Sequence, residues 1–271
     1  MISKNGYHKN PAYMSVGFYF LKILCNTNGM KSSITVIIPA YNEAGNIENT
    51  AQSILNGLNN LGFENFEILI FNDASTDDTG KISDDLALQN NRVKVIHNNP
   101  NRGIGYNYQK GIELARYDYI VMFPGDNVIA ESSVQNLLAK TGEADIVLSY
   151  VANQKLRRFS RRIISRAFTI LINFLFCLKV TYYNGSPIIK TSLLRIVPQT
   201  TSGFAYMAEI LVQLIKSGHS YIEVATNMQP RAYGKSTALR PKNFYLVGKT
   251  ILDLLWKVYF TNTINKLKNL S

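Results

Sequence analysis

The sequence predicts an α/β fold with a mainly parallel, Rossmann-like sheet flanked by helices. Between residues 33 and 150, short β-branched runs alternate with segments of helical spacing, which is the pattern of βαβ crossovers. The chain has 271 residues, of which 46% are hydrophobic and 17% are charged. It can therefore bury a large core, and this composition excludes wholesale disorder and coiled-coil rods.

The first βαβ unit begins with a β-branched run over residues 34–38, which ends at Pro39 and is typical of a buried strand. Apolar residues at helical spacing follow over residues 46–61, and residues 66–71 form the second predicted strand. The alternation then continues with helices over residues 77–88, 105–115 and 132–140, and with strands over residues 93–96, 119–123 and 146–148.

Beyond residue 150 the pattern becomes helical. A long helix is predicted over residues 157–178, basic at its start and apolar over residues 167–178. Twelve helical residues reach only about 18 Å, short of a bilayer core of roughly 30 Å. A further helix is predicted between Phe204 and Leu214, and residues 244–260 have the pattern of an amphipathic helix lying on a surface.

These patterns divide the chain into three parts. Residues 1–32 form an N-terminal appendage, with Met30 as a possible true start; residues 33–240 form the α/β domain; and residues 241–271 form a C-terminal amphipathic, membrane-associating part.

Charge is distributed unevenly along the chain. The net charge is +11, yet residues 1–150 carry 11 basic and 15 acidic side chains, whereas residues 151–271 carry 18 basic and 3 acidic ones. This surplus predicts a polyanionic partner, a phosphate-bearing substrate or an anionic membrane surface. Nucleic acid is not expected because no RNA- or DNA-binding motif is present.

Two Cys and three scattered His exclude a disulfide framework and a thiolate or histidine-rich metal site, and indicate a reducing compartment.

Polar or turn-forming clusters follow three of the predicted strands. They are PAYNE at residues 39–43, ND at residues 72–73 and PGDN at residues 124–127. Ligands of parallel sheets bind beyond the carboxyl ends of the strands, where these clusters would lie. Gly103 and Gly105 do not make a dinucleotide fingerprint, because Tyr108 takes the third glycine position.

Five motifs in order resemble family 2 glycosyltransferases, which are inverting enzymes of the GT-A fold, and most nearly the polyprenyl-phosphate (dolichyl-phosphate-like) sugar transferases. VIIPAYNE at residues 36–43 is similar to the family's opening strand, and NDASTDDT at residues 72–79 to its DDGSTDGT segment. NRGIG at residues 101–105 and the single Asp126 are similar to two further motifs. The fifth is a spaced pattern formed by Gly203, Phe204, Glu209, Gly218, Glu223, Val224, Arg231, Gly234 and Ser236.

The resemblance implies roles for named residues. It implies that the nucleotide is held by Pro39, Tyr41, Glu43, Asp73 and Arg102, and that Arg231 and Ser236 bind the diphosphate. Asp73 is also a candidate helix cap on its residue type alone. Glu209 is either a catalytic group or an ion-pair partner at the edge of the core.

Asp126 is the candidate metal ligand, with Asn127 as a helper, for Mg²⁺ or Mn²⁺. The family's Asp-x-Asp pattern is incomplete here because Pro124 replaces the first Asp, and Val128 cannot ligate. Magnesium can still be held by one carboxylate together with substrate phosphates and water.

Arg161 and Ser165 are similar to the element that holds the lipid phosphate in the polyprenyl-phosphate transferases. Residues four apart share a helix face, so both side chains can reach one phosphate. Two departures stand nearby: Tyr150 replaces an Arg, and Tyr182 or Tyr183 replaces an Asp.

The sequence thus predicts transfer of a sugar from a UDP- or GDP-sugar to a polyprenyl phosphate, by an enzyme peripheral on the cytoplasmic face of the membrane. A homo-oligomer is a possible assembly. Two alternatives remain: transfer to a sugar or protein hydroxyl with Glu209 as base, or a nucleotide-sugar-binding module that has lost catalysis.

Overall fold

The computed structural model describes residues 32–201, 203, 205–233 and 241–270. Their strands are β1 (Ile34–Ala40), β2 (Phe66–Asn72), β3 (Val93–His97), β4 (Tyr119–Met122), β5 (Ile146–Val151), β6 (Ile188–Lys190) and β7 (Tyr221–Thr226). Their helices are α1 (Ile47–Asn60), α2 (Thr79–Gln89), α3 (Ile104–Leu114), α4 (Glu131–Leu138), α5 (Phe159–Phe176), α6 (Thr191–Ile196), α7 (Tyr206–Lys216), α8 (Pro241–Tyr259) and α9 (Thr263–Leu270). The predicted appendage lies outside the described residues, apart from its last residue.

The seven strands form one sheet in the order β3-β2-β1-β4-β6-β5-β7. Strands β1, β2, β3 and β4 pair in parallel, and β5 pairs in parallel with β7. Strand β6 runs antiparallel to both β4 and β5. This confirms the predicted mixed α/β architecture with a mainly parallel sheet.

Helices cover both faces of the sheet, and the alternation of side chains along β1 shows how. Ile34, Val36 and Ile38 belong to one buried cluster, which includes residues of α1 and α4. Ile37 belongs to the other cluster, with residues of α3, α5, α7 and α8. A strand buried on both faces has a continuous apolar sequence, as β1 does.

The sequence patterns located the first five strands and the four helices between them within a few residues. They did not reveal β6, β7, α6 or α9. Strand β6 has only three residues, and its neighbours come from distant parts of the chain.

Among the described residues, no helix combines the length and the apolar composition that a bilayer crossing requires.

Candidate active site

Three strand ends meet at the centre of the sheet. Strands β1 and β4 are neighbours, and the order of the sheet reverses between them, which opens a crevice at their carboxyl ends. The Gly125 amide after β4 donates to the Pro39 carbonyl at 3.0 Å, and the Asp73 amide after β2 donates to the Ala40 carbonyl at 2.9 Å. The three clusters predicted from the sequence therefore lie side by side.

Arg231 joins two carboxylates at this crevice. Its guanidinium forms an ion pair with Glu43 and lies 3.7 Å from Asp126, measured from Nη1 to Oδ2. Glu43 is buried, and its second carboxylate oxygen accepts a hydrogen bond from the side-chain Nδ2 of Asn46 at 2.7 Å. Asp126 and Arg231, 105 positions apart in the sequence, thus belong to one charged cluster with Glu43.

The segment after β7 carries Arg231 to this position. The Gln229 amide donates to the Val128 carbonyl at 2.9 Å, and the Ala130 amide donates to the Asn227 carbonyl at 3.0 Å. On its other side, Met228 exchanges two hydrogen bonds with the side chain of Asn153, at 2.7 and 2.8 Å. Residues 227–229 therefore run between the loop that follows β4 and the loop that follows β5.

Tyr233 lies over the loop that follows β1. A Cβ built on Gly45 would be 2.5 Å from Cδ2 of the Tyr233 ring, so only glycine leaves room for this ring. The Tyr233 carbonyl accepts hydrogen bonds from Arg231 at 2.6 Å and from Asn46 at 3.3 Å. Residues 231–233 therefore cover the cluster of Glu43 and Asp126.

Asp126 is held in an unusual electrostatic state. Burial raises its pKa to about 6; Arg231 opposes this shift, and the nearby Glu43 adds to it. Its Oδ1 atom is buried and has no hydrogen-bond partner among the described residues. A buried carboxylate oxygen without a donor is poorly solvated and is a good acceptor for a cation.

A second basic group stands next to this cluster. Arg161, in the first turn of α5, is half-buried, and burial and the charge of Arg157 both lower its pKa, while Asp126 raises it. Arg157 donates to the Tyr182 hydroxyl at 2.7 Å and lies 5.2 Å from the centre of the Tyr182 ring. Ser165 follows one turn after Arg161 and is half-buried. Tyr182, at one of the two positions where an acid was expected, therefore holds Arg157 without neutralising it.

Asp73 fixes the loop before α3. Its carboxylate accepts hydrogen bonds from the amides of Arg102 and Gly103 and from the Asn98 side chain, each at 2.8 Å. The Arg102 side chain is exposed and lies over the Tyr106 ring, 5.1 Å from its centre. Asp73 therefore positions this loop, and the predicted contact with a nucleotide stays a prediction.

The remaining predicted residues surround the crevice in different ways. Pro39 lies inside β1, whereas Tyr41 is 49% exposed. Asn127 adopts a left-handed backbone conformation with a φ of 50°, and it lines a small cavity together with Thr50 and Ser53 of α1. Ser236 lies outside the described residues.

Glu209 lies in a different environment from the charged cluster. It is buried at the start of α7, where its carboxylate accepts hydrogen bonds from the amides of Thr200 and Thr201 and from the Thr200 hydroxyl. It also pairs with Lys257 of α8 at 2.5 Å. Of the two roles left open for Glu209 by the sequence, these contacts support the ion-pair partner, because a general base needs a free lone pair near the acceptor.

Sequence reasoning missed several residues that shape the site. Asn46, which binds Glu43, was predicted only as the start of a helix, and Asn153 and Tyr233 carried no recognisable signal.

Among the described residues, no group of three or more His, Cys, Asp or Glu side chains could hold a metal ion. Any cation here would therefore rely on Asp126, a helper oxygen and ligands from the substrate.

Comparison with known proteins agrees with this geometry. A profile of the family described as glycosyl transferase family 2 matches residues 35–202. Glycosyltransferase GlyG of Streptococcus pneumoniae is 30% identical over 126 residues, which are 46% of this chain and 40% of that protein. The dolichol-phosphate mannosyltransferase of Pyrococcus furiosus is 28% identical over 236 residues, which are 83% of this chain and 62% of that protein. The chain thus spans less than two thirds of the length of either relative.

Solved structures show the same fold. Glucosyl-3-phosphoglycerate synthase from Mycobacterium tuberculosis, in complex with Mg²⁺ and UDP, has a TM-score of 0.62 at 17% identity, and the match covers 83% of this chain and 80% of that one. A complex of the same synthase with Mn²⁺, UDP and phosphoglyceric acid has a TM-score of 0.60 at 18% identity, covering 83% and 79%. At this level of identity the likeness extends to the GT-A fold.

Proposed function

Because the chain belongs to glycosyl transferase family 2, we propose that it transfers a sugar from a nucleotide diphosphate sugar to a polyprenyl phosphate, with inversion at the anomeric carbon. The observation that carries this proposal is the charged cluster of Glu43, Asp126 and Arg231 at the point where the sheet order reverses. Its neighbour Arg161 supplies a second anion-binding group. Two phosphate-binding groups at one crevice suit a donor and an acceptor that both carry phosphate.

The donor diphosphate would bind at Arg231. The planar guanidinium matches two phosphate oxygens in a bidentate arrangement. In the structure this guanidinium forms ion pairs with the carboxylates of Glu43 and Asp126. The diphosphate would share Arg231 with these carboxylates, and the residue would then offset the negative charge that develops on the leaving group. Ser236 remains a proposed second contact.

The residues present fit a divalent cation. The unpartnered, buried Oδ1 of Asp126 is the kind of hard oxygen ligand that Mg²⁺ or Mn²⁺ takes, and Asn127 is a candidate second oxygen. When bound, such an ion would neutralise charge on the donor diphosphate. Burial raises the pKa of this carboxyl, Arg231 opposes that shift, and Glu43 adds to it.

The nucleotide would lie along the ends of β1 and β2. The exposed ring of Tyr41 offers a flat surface for a base. Asp73 accepts two hydrogen bonds from the backbone amides of Arg102 and Gly103 and a third from the Asn98 side chain, so the loop would present a fixed edge to the ribose. Pro39 anchors the same edge through its carbonyl bond to Gly125.

A phosphate acceptor fits the site better than a hydroxyl. A hydroxyl must lose its proton during attack, and the candidate base for that step, Glu209, is occupied by Thr200, Thr201 and Lys257. A phosphate oxygen is already anionic near neutral pH, so attack requires positioning and charge neutralisation without a strong base. Arg161, with Ser165 one turn later, would hold that phosphate. Because a polyprenyl acceptor resides in a membrane, the enzyme would work at the cytoplasmic membrane surface.

A panel of donors and acceptors tests the proposal. UDP- and GDP-sugars are offered with and without Mn²⁺, against a polyprenyl phosphate or an oligosaccharide acceptor, and labelled product is measured. We expect label in the lipid and a strong loss in Arg161→Gln, whereas the matched control Arg92→Gln, on an exposed arginine outside the crevice, keeps its activity. Label in the oligosaccharide alone would favour the hydroxyl acceptor, and donor binding without any turnover would favour a module that has lost catalysis.

A further inference from the structure

Helix α8 has apolar residues on two opposite faces. Leu254 is buried, and Ile251, Leu255 and Val258 pack against the core beside it. The opposite face exposes a stripe of large apolar side chains at helical spacing: Tyr245, Leu252, Trp256 and Phe260, the last just beyond the helix end. Trp256 is 62% exposed and stacks on Phe260, which is 70% exposed, with ring centres 5.2 Å apart. A surface helix normally turns a polar face to water, so this stripe requires an explanation.

Helix α5 repeats this arrangement. Ile172 and Phe176 are buried, whereas Phe159, Ile163, Ile170 and Phe174 are exposed at successive spacings of four, seven and four residues. Phe174 is the most exposed of them, at 80%. These four residues lie on one side of the helix.

The two helices meet at their C-terminal ends. The rings of Phe176 and Tyr259 stack with centres 6.1 Å apart, and the Tyr259 hydroxyl donates to the Leu175 carbonyl at 2.7 Å. We call the exposed stripes of α5 and α8 together the α5/α8 surface. This contact brings both parts of that surface to one region of the molecule.

Basic residues accompany the apolar ones. Arg158, Arg162 and Arg166 lie at the start of α5 or just before it, Lys249 lies in the exposed stripe of α8, and Lys266 is exposed on α9. Against these, the one acidic residue in the sequences of the three helices is Asp253. Aromatic side chains next to a surplus of basic ones match the interface of an anionic bilayer, where rings lie at headgroup depth and cations meet lipid phosphates.

We propose that the α5/α8 surface docks onto an anionic lipid bilayer, with Trp256, Phe260 and Phe174 inserted at headgroup depth. The proposal rests on the proposed function in one respect, since it explains how a lipid-linked acceptor reaches Arg161. That residue lies in the first turn of α5, two positions from the exposed Phe159 and Ile163 and on the other side of the helix. The same helix therefore carries the proposed acceptor-phosphate group on its inner side and part of the docking surface on its outer side.

Trp256 reports on this docking without any label, because it is the single tryptophan of the chain. The full-length protein is mixed with vesicles of phosphatidylcholine alone or of phosphatidylcholine with phosphatidylglycerol, both without polyprenyl phosphate, and its emission and co-sedimentation are measured. We expect a blue shift of the emission and sedimentation with the anionic vesicles.

Matched variants separate this surface from any other. Phe260→Ser should lower the partition coefficient by about tenfold, because an exposed ring no longer enters the interface. Lys249→Gln should lower it by about fivefold, since each basic residue near an anionic surface contributes on the order of 1 kcal/mol. The controls Leu88→Ser and Lys81→Gln alter exposed residues of α2 and should leave binding unchanged. All four positions are exposed, so the variants are expected to fold, which thermal melting checks.

Three results would overturn the docking proposal: absence of a blue shift with anionic vesicles, equal binding by Phe260→Ser and wild type, or self-association that Phe260→Ser abolishes. The third result would assign the surface to a second copy of the chain. Failure of docking is distinguishable from failure of the proposed function, because sugar transfer to a short-chain, detergent-dispersed polyprenyl phosphate requires no vesicle. Docking without such transfer would leave the docking proposal in place and remove the proposed acceptor.

Discussion

Replacing Asp126 by Asn should stabilise the ligand-free protein. Burial raises the pKa of Asp126 from its ordinary value of 3.8 to about 6, in spite of the opposing effect of Arg231. The folded protein therefore binds the Asp126 proton more tightly than the unfolded chain does. At neutral pH the ionised carboxylate costs stability, and the asparagine side chain would keep the shape of the aspartate without its charge.

The size of the effect follows from the difference between the two pKa values. Each pKa unit corresponds to about 1.4 kcal/mol, so a shift from 3.8 to about 6 corresponds to about 3 kcal/mol at pH 7.5. As the pH falls through 6 toward 4, the folded protein takes up the proton first and its penalty is relieved. The advantage of Asp126→Asn should then shrink to about 1 kcal/mol at pH 4.5.

Urea denaturation of both proteins at these two pH values measures this difference, because the other titrating groups are shared and cancel. Thermal melting with Mn²⁺ and UDP is a second readout, since the wild type should gain stability from the pair and Asp126→Asn should gain less. The reasoning is refuted if Asp126→Asn is less stable than the wild type at pH 7.5, or if its advantage is the same at both pH values.

Three further changes test other parts of the structure. Arg161→Lys should raise the KM for the acceptor phosphate by about tenfold and leave the KM for the donor unchanged, since a lysine cannot make a bidentate contact. Initial rates at varied concentrations of acceptor and donor measure the two KM values. Glu209→Gln leaves the partly buried Lys257 without its countercharge and should lower the free energy of unfolding by about 3–5 kcal/mol. The pH profile of transfer should not change, whereas loss of the limb at acidic pH would instead make Glu209 the base. Gly185→Ala places a Cβ 2.2 Å from the Ser149 carbonyl oxygen and should lower the melting temperature through a strain of about 1–3 kcal/mol.

The first half of the fold was predictable because its signals are local. Each strand from β1 to β5 is an apolar run with turn residues or polar clusters near its ends, and each intervening helix has apolar residues at helical spacing. Glu43, Asp73 and Asp126 follow strands of one parallel sheet, so the rule for ligand sites in such sheets brought them together. That inference needed only the positions of the strand ends in the sequence.

Arg231 shows where local reasoning stops. Its position depends on residues 227–229, which hydrogen-bond to the loop after β4 and to Asn153 after β5. No periodicity in the sequence specifies these contacts, because they join segments about 75 to 100 residues apart. The resemblance to a known family indicated Arg231 but not its pairing with Glu43. In the same way, the sequence did not reveal the contact of Glu209 with Lys257 of α8, which favours the ion-pair interpretation of the two that it left open.

The balance of charge at the crevice connects these observations. Arg161 and Arg231 lie beside Asp126, Arg231 pairs with Glu43, and Arg157 lies beside Arg161, so these five side chains together carry a surplus of one positive charge when Asp126 is ionised. A donor diphosphate brings about one negative charge per phosphate, which alone would turn the surplus into a deficit and repel an anionic acceptor. A divalent cation at Asp126 would cancel the negative charge of the donor diphosphate. The surplus positive charge of the arginines would then remain available for the acceptor phosphate. The uncharged Tyr182 maintains that surplus, because it binds Arg157 through its hydroxyl and ring without adding a negative charge.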